Sequence, residues 1–133
     1  SELDALARER GVPVVVDIGV APGMSHLLVG HANEQLDKLE YVRIYVGGLP
    51  KERIPPYEYK AVFSPSDVIE EYIRPSRLLR NGKEIELEAL SELENIEFDR
   101  PGILEAFNSD GLRSLVKTIQ VPDMAEKTLV QLE

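Results

Sequence analysis

The dipeptide Asn81-Gly82 constrains the fold of this chain more than any other short feature. It lies between two runs, Ser76–Arg80 and Lys83–Ala89, that carry apolar residues at strand spacing. Asn-Gly is the strongest short signal for a two-residue type I′ turn, whose central residues both need positive φ. The strands on either side must then pair antiparallel. In the second arm Ile85 and Leu87 alternate with Glu84, Glu86 and Glu88, so one face of the hairpin is expected to be wet. The basic run RPSRLLRNGK at 74–83 accordingly reads as a solvated hairpin rather than a phosphate track.

The front of the chain follows a different grammar. Residues 3–10 read as the end of a helix, with Leu3, Leu6 and Ala7 on one face and Gly11 as the stop. Val12 to Ile18 reads as a strand, and Val14-Val15-Val16 suggests burial on both faces, as in a parallel sheet. Gly19 to Gly23 turns the chain into a helix from Met24 to about Leu39, with Leu28, Ala32, Leu36 and Leu39 at helical spacing. A second strand, Tyr41 to Val46, closes on Gly47-Gly48-Leu49-Pro50, and KERIPPYEYK at 51–60 is a loop through Pro55-Pro56. Ser64-Pro65-Ser66-Asp67 opens the short helix DVIEEYI, with Pro75 beyond its end.

After the hairpin, short strands are expected at Ile96–Phe98 and Ile103–Phe107, around the turn Asp99-Arg100-Pro101-Gly102. A helix over Gly111–Ile119 and a last strand over Thr128–Leu132 complete the pattern. The sum is an α+β fold: a mixed, largely antiparallel sheet covered by helices, with one α/β element at the front.

Length and composition narrow the function. A chain of 133 residues with 43% apolar content suffices for one domain with a real core. Fifteen basic against 24 acidic residues give a formal charge of −9, which argues against nucleic acid as a main partner. The absence of cysteine removes disulfides and thiolate chemistry. The apolar runs are too short to span a bilayer and SELDALARER is no signal sequence, so no membrane partner and a cytoplasmic location are expected. Ser1 begins inside a helical pattern without a methionine, as a piece of a longer chain would, and Leu132-Glu133 could be a cloning scar.

Few residues carry chemistry. Gly19-Val20-Ala21-Pro22-Gly23 is neither a dinucleotide fingerprint nor a P-loop, but at Gly23 it places backbone N–H groups at a helix N-terminus, where a carboxylate is welcome. A tight strand-to-helix connection would account for it equally. His26, in the first helical turn, is disfavoured as a cation and could exchange one proton with a ligand; a packing role is the plainer reading. His31 is off the spacing for paired metal ligands, so no metal is indicated. Asp110 or Ser109 suits an N-cap. Arg113 would then sit in a first helical turn, an unfavourable place for a cation unless it clamps a carboxylate. Lys127 is a further cation at a strand start, with a surface role as its plain reading.

GVAPGMSHLLVG at 19–30 resembles the saccharopine dehydrogenase family, which includes lysine 6-dehydrogenases and saccharopine reductases. The likeness continues in order through YVGGLP at 45–50, KAVFSPSDVIEEYIRP at 60–75, RNGKEIELEAL at 80–90, EAFNSDGLRSL at 105–115 and VPDMAEKTL at 121–129. The resemblance implies that residues 1–133 form the second, substrate-binding and dimerisation domain of such a protein, similar to the C-terminal domain of glyceraldehyde-3-phosphate dehydrogenase. Residues 1–23 would hold the last helix and strand of a Rossmann domain that itself lies outside this chain. NAD or NADP would bind there, and the isolated fragment would bind no cofactor and be inactive.

The implied reaction moves a hydride between a nicotinamide and a carbon–nitrogen bond of an amino acid. Gly23, His26, Asp110, Arg113 and Lys127 become candidate substrate contacts, with the catalytic residues unassigned and a homodimer expected. His26 matches the histidine ending the Gly-Leu-Asp-Pro-Gly-Ile-Asp-His motif of saccharopine reductases, but Ala21 stands where that motif has aspartate. This departure favours the lysine 6-dehydrogenase-like branch. The alternative is a non-catalytic module of the same fold, serving dimerisation or small-acid binding.

Overall fold

The computed structural model describes residues 2–131 except 53, 56–60 and 62. Two helices, α1 (Glu2–Glu9) and α2 (Met24–Gln35), precede strand β1 (Tyr41–Val46). Helix α3 (Pro65–Ile73) leads to β2 (Ser76–Arg80), β3 (Lys83–Leu87), β4 (Glu94–Glu97) and β5 (Ile103–Asn108). Helix α4 (Leu115–Thr118) and strand β6 (Asp123–Gln131) close the fold. The loop expected over 51–60 lies largely outside the described residues, as does Leu132 of the expected last strand. Among the described residues no helix is long and apolar enough to cross a membrane.

The hairpin forms as expected. Asn81 has φ 51° and Gly82 φ 72°, the left-handed pair a type I′ turn needs, and β2 pairs antiparallel with β3 from Ser76↔Leu87 to Arg80↔Lys83. Glu84, Glu86 and Glu88 are exposed. The other arm is less solvated than its arginines suggested, with Ser76, Leu78 and Leu79 buried.

The centre of the sheet is β6. It runs parallel to β1 over Tyr41↔Asp123 to Val46↔Thr128, antiparallel to β5 over Leu104↔Gln131 to Asn108↔Lys127, and touches β2 at Leu79↔Met124. Strand β4 continues the sheet beyond β5. This is the mixed, largely antiparallel sheet of an α+β fold, but its spine is a nine-residue strand where the sequence suggested a short terminal one. Charge at Asp123, Glu126 and Lys127 hid it, because a buried strand normally reads as an apolar run.

Leu78, Leu112 and Met124 fill one core cluster with Val42, Ile44 and Leu115. A second cluster holds Leu104, Ala106 and Leu129 against Leu49, Ile96 and Phe98.

Three front-end and loop expectations need correction. Residues 12–18 form no strand; Val14, Val15, Val16 and Ile18 are two-thirds exposed or more, because no strand among the described residues pairs with them. Helix α2 stops at Gln35 with no residue fully buried, and Leu28 and Leu36 face outward. The expected helix over 111–119 shrinks to Leu115–Thr118, with Ser114 rather than Ser109 or Asp110 at its N-cap position. Arg113 has φ 40°, which interrupts any helix starting before it.

Candidate functional site

Three segments meet over β6: the turn 19–23, helix α3 and the loop 109–113 that follows β5. Between them lies a cleft of about 610 Å³, of the size that takes a small metabolite. Each wall is held by identifiable contacts.

Gly23 is the pivot of the first wall. With φ 141° and its Cα against the backbone of Gly19, it has no room for a side chain. The turn consumes its own donors: Met24 N–H donates to Gly19 O (2.9 Å), Ser25 N–H to Val20 O (3.0 Å), and Gly19 N–H to Pro22 O (2.8 Å). The helix-end amides expected to meet a carboxylate at Gly23 are therefore largely spent. Such a turn does not fit a dinucleotide pyrophosphate, which needs free N–H groups. Gly19 to Pro22 line the cleft; Gly23 supports them from beneath.

His26 reaches the opposite wall without lining the cleft. Its Nε2 lies 3.1 Å from the Gly111 carbonyl, which can only accept, so this nitrogen carries the proton. The contact ties α2 to the loop 109–113. Ser114 Oγ donates to Asp17 Oδ2 at 2.7 Å and fastens the same loop to the chain ahead of the turn.

Asp110 serves as an anchor rather than a cap. Its Oδ1 and Oδ2 each accept from the Arg77 guanidinium at 2.8 Å, and Oδ1 also accepts from Arg77 N–H at 3.2 Å. This hydrogen bonding raises the Arg77 pKa above its ordinary value. The planar fork fixes the loop to β2, and Arg77 is a residue that the sequence reading passed over as hairpin solvation. Arg113, two positions past the buried Gly111, is exposed, lines the cleft, and has no ion-pair partner among the described residues.

The floor comes from β6. Alternation along the strand sends Glu126 and Thr128 toward α3 and the cleft, and Lys127 to the other face. There Lys127 Nζ pairs with Glu94 Oε1 at 2.9 Å and donates to Glu92 O at 2.5 Å, so the structure does not bring Lys127 to the other candidates. The hydrogen bond from Lys127 holds the Glu94 carboxyl below the usual range.

Thr128 Oγ lies 2.6 Å from Glu71 Oε1 and 2.9 Å from Ser109 Oγ. A hydroxyl has one proton, so Thr128 donates to Glu71 and accepts from Ser109. Glu126 is 4% exposed, and its Oε2 has no hydrogen-bond partner among the described residues. Burial raises its pKa to about 8, helped by the charges of Glu71 and Asp110 and opposed by Arg113. At neutral pH this carboxyl keeps its proton. Its carboxyl packs on Gly111, where any Cβ would overlap it.

A family model, the saccharopine dehydrogenase C-terminal domain, matches residues 19–131. The chain belongs to this family. The match begins at the turn that forms the first cleft wall and ends with β6. Two curated relatives are the mitochondrial alpha-aminoadipic semialdehyde synthases of Bos taurus and Rattus norvegicus, each 33% identical over 91 residues that cover 62% of this chain and 10% of that protein. The apo saccharopine dehydrogenase (L-Glu forming) of Saccharomyces cerevisiae shares the fold with a TM-score of 0.65 at 20% identity, over 84% of this chain and 28% of that one. The chain thus spans about a tenth of the length of the curated relatives it matches.

Within this C-terminal domain, Glu126, Glu71, Thr128 and Arg77 went unnoticed in the sequence. One signal was available. A strand started at Asp123 aligns Glu126 with Met124 and Thr128 on one face, and a carboxylate there must be buried.

The Arg77–Asp110 fork should carry measurable stability, since the Asp110 side chain is 8% exposed and loses its counter-ion if the arginine is removed. Arg77→Ala is expected to cost about 2–4 kcal/mol in denaturant unfolding. Arg77→Lys should recover only part of this, because lysine keeps the charge and loses the fork. An unchanged midpoint in Arg77→Ala would show that the fork is ornamental.

Proposed function

We propose that this chain is the substrate-binding domain of an NAD(P)-dependent oxidoreductase that acts on a carbon–nitrogen bond of an amino acid, of the lysine 6-dehydrogenase-like branch. The family membership supports the class of enzyme, and Ala21 in the first cleft wall supports the branch. The turn 19–23 offers no fit for a dinucleotide, so the nicotinamide is assigned to residues outside this chain. The contribution of these residues is to bind and orient the amino acid and to keep water from it.

The observation that carries this reading is Arg113. It is an exposed guanidinium donor at the wall of a cleft whose charged side chains are mainly acidic. It has no ion-pair carboxylate among the described residues, whereas Arg74 in the same lining is paired with Glu70. Structural arginines are normally paired, as Arg77 and Arg80 are here. Arg113 also holds positive φ, a backbone state that costs a non-glycine residue energy and concentrates at ligand sites. Its natural partner is a substrate carboxylate, held in two parallel hydrogen bonds. Asp110 and His26 support it from behind by fixing the loop, and do not touch the ligand.

Arg113→Ala in the full-length enzyme is expected to raise KM for the amino acid roughly ten- to a hundredfold, the equivalent of about 1.5–3 kcal/mol, with cofactor binding unchanged. Arg113→Lys should rescue in part. A lowered melting temperature with KM untouched would return Arg113 to a purely structural role.

A homodimer completes the proposal. Met24 and Leu28 of α2 are exposed beside Tyr41 and Tyr45 of β1, whose outer edge has no strand partner among the described residues. An apolar surface next to an open strand edge is a usual place for a second copy. Light scattering at tens of micromolar should give twice the monomer mass; a monomer mass would remove the proposal.

A further inference from the structure

The cleft contains a buried acid, Glu126, beyond the arginine that would hold a substrate carboxylate. Arg113 serves one end of an amino acid and leaves its amine without a partner. Three carboxylates reach the cleft wall near Arg113: Asp110, Glu71 and Glu126. Asp110 is neutralised by Arg77. Glu71 and Glu126 have no cationic partner in an ion pair among the described residues. Glu71 spends Oε1 on Thr128, while Glu126 leaves Oε2 buried and without any hydrogen bond. A buried acceptor of this kind is costly to leave unpaired, and native structures rarely keep one without a use.

We propose that Glu126, flanked by Glu71, recognises the protonated amine of the substrate, so that the cleft selects an amino acid by both ends. The proposal rests on the reading of this cleft as the substrate site and adds the residue that distinguishes an amino acid from a simple acid. Glu126 suits the task by position. It lies on β6, the most constrained strand of the sheet, and is held from the side by the Gly111 backbone. Glu71 approaches from α3, so an ammonium group between them would meet two acceptors, while of the two arginines lining the cleft among the described residues Arg74 is already paired with Glu70.

The resting carboxyl is protonated, with its pKa raised to about 8 by burial first and by Glu71 and Asp110 next. An arriving ammonium favours the ionised form. The binding step is then one in which Glu126 releases its proton to solvent and the carboxylate pairs with the ammonium, with charge balanced within the cleft. Among the described residues, the other charged groups lining it are Asp67 and Glu70 of α3, Arg74 just past its end, paired to Glu70 at 3.2 Å, and Arg113 of the loop. The turn 19–22 and the end of β1 contribute none. Affinity for the amine therefore rises as pH increases toward 8, by up to about tenfold per unit, and levels off above it.

The test uses the full-length protein, titrated calorimetrically with L-lysine and with hexanoate, which keeps the chain and the carboxylate but lacks both amines. The wild type is expected to bind lysine at least about tenfold more tightly than hexanoate at pH 8. Glu126→Gln mimics the resting protonated acid in size and charge, so its melting temperature at pH 7 should not change. It should lose the preference for lysine and the pH dependence while binding hexanoate normally. A Glu126→Gln protein that keeps both would overturn the proposal. Proton release supplies a readout without any variant: lysine binding at pH 7, compared in two buffers of different ionisation enthalpy, should release close to one proton, and no release overturns the assignment. If Arg113→Ala also leaves hexanoate affinity unchanged, the reading of the cleft fails as well; if it weakens hexanoate while Glu126→Gln does nothing to lysine, only the amine assignment fails.

Discussion

Strand β6 has partners along both edges and packing on both faces, and the rest of the domain is arranged around it. Such a strand is usually written in valine and isoleucine. Here Glu126, Lys127 and Thr128 interrupt it, all at 8% exposure or less. Burying polar groups costs free energy unless each finds a partner. Lys127 finds Glu94 and the Glu92 carbonyl, and Thr128 finds Glu71 and Ser109. Of these three, Glu126 keeps an oxygen with no hydrogen-bond partner among the described residues, and with Thr128 it lines the cleft.

The loop 109–113 closes one wall of the candidate cleft over that strand. It is fixed from three directions: by the Arg77 fork on Asp110, by His26 on the Gly111 carbonyl, and by Ser114 on Asp17. These contacts come from β2, α2 and the segment ahead of the turn, so the position of Arg113 depends on elements distant in sequence. Rigid support of this kind would present the guanidinium to the proposed substrate without spending binding energy on ordering it. The exposed stretch Val12–Ile18 lies ahead of the residues matched to the family, and Asp17 within it accepts the hydrogen bond from Ser114.

Local signals in the sequence were reliable where the cause was local. Asn81-Gly82 specified the hairpin, Pro65 the start of α3, and Gly23 a turn that admits no side chain. The fold class followed from these, and the ordered motifs identified the family. What failed depended on contacts between distant segments. Val14-Val15-Val16 reads as a buried strand only if a sheet receives it, and none among the described residues does. Gly111 to Ile119 looks helical until Asp110 is drawn to Arg77 and the backbone turns left-handed at Arg113. Of the candidate site residues, Arg113 and Asp110 line the cleft, Asp110 with its carboxylate held by Arg77; Gly23 and His26 shape it from behind, and Lys127 lies on the opposite face. Glu126 was missed because a charged residue in DMAEKTLVQ suggests solvent, whereas the partner strands on either side enclose it.

Glu126 is a buried acid at the floor of the cleft, with no ion-pair partner among the described residues. Carbon-13 NMR titration of the glutamate side-chain carboxyls, with Glu126→Gln used to assign the signal, measures this directly. A midpoint near 8 for Glu126 is expected, far above the ordinary glutamate value of 4.5. A midpoint near 4.5 would mean that water or a cation reaches the carboxylate in the resting protein, and would contradict the claim.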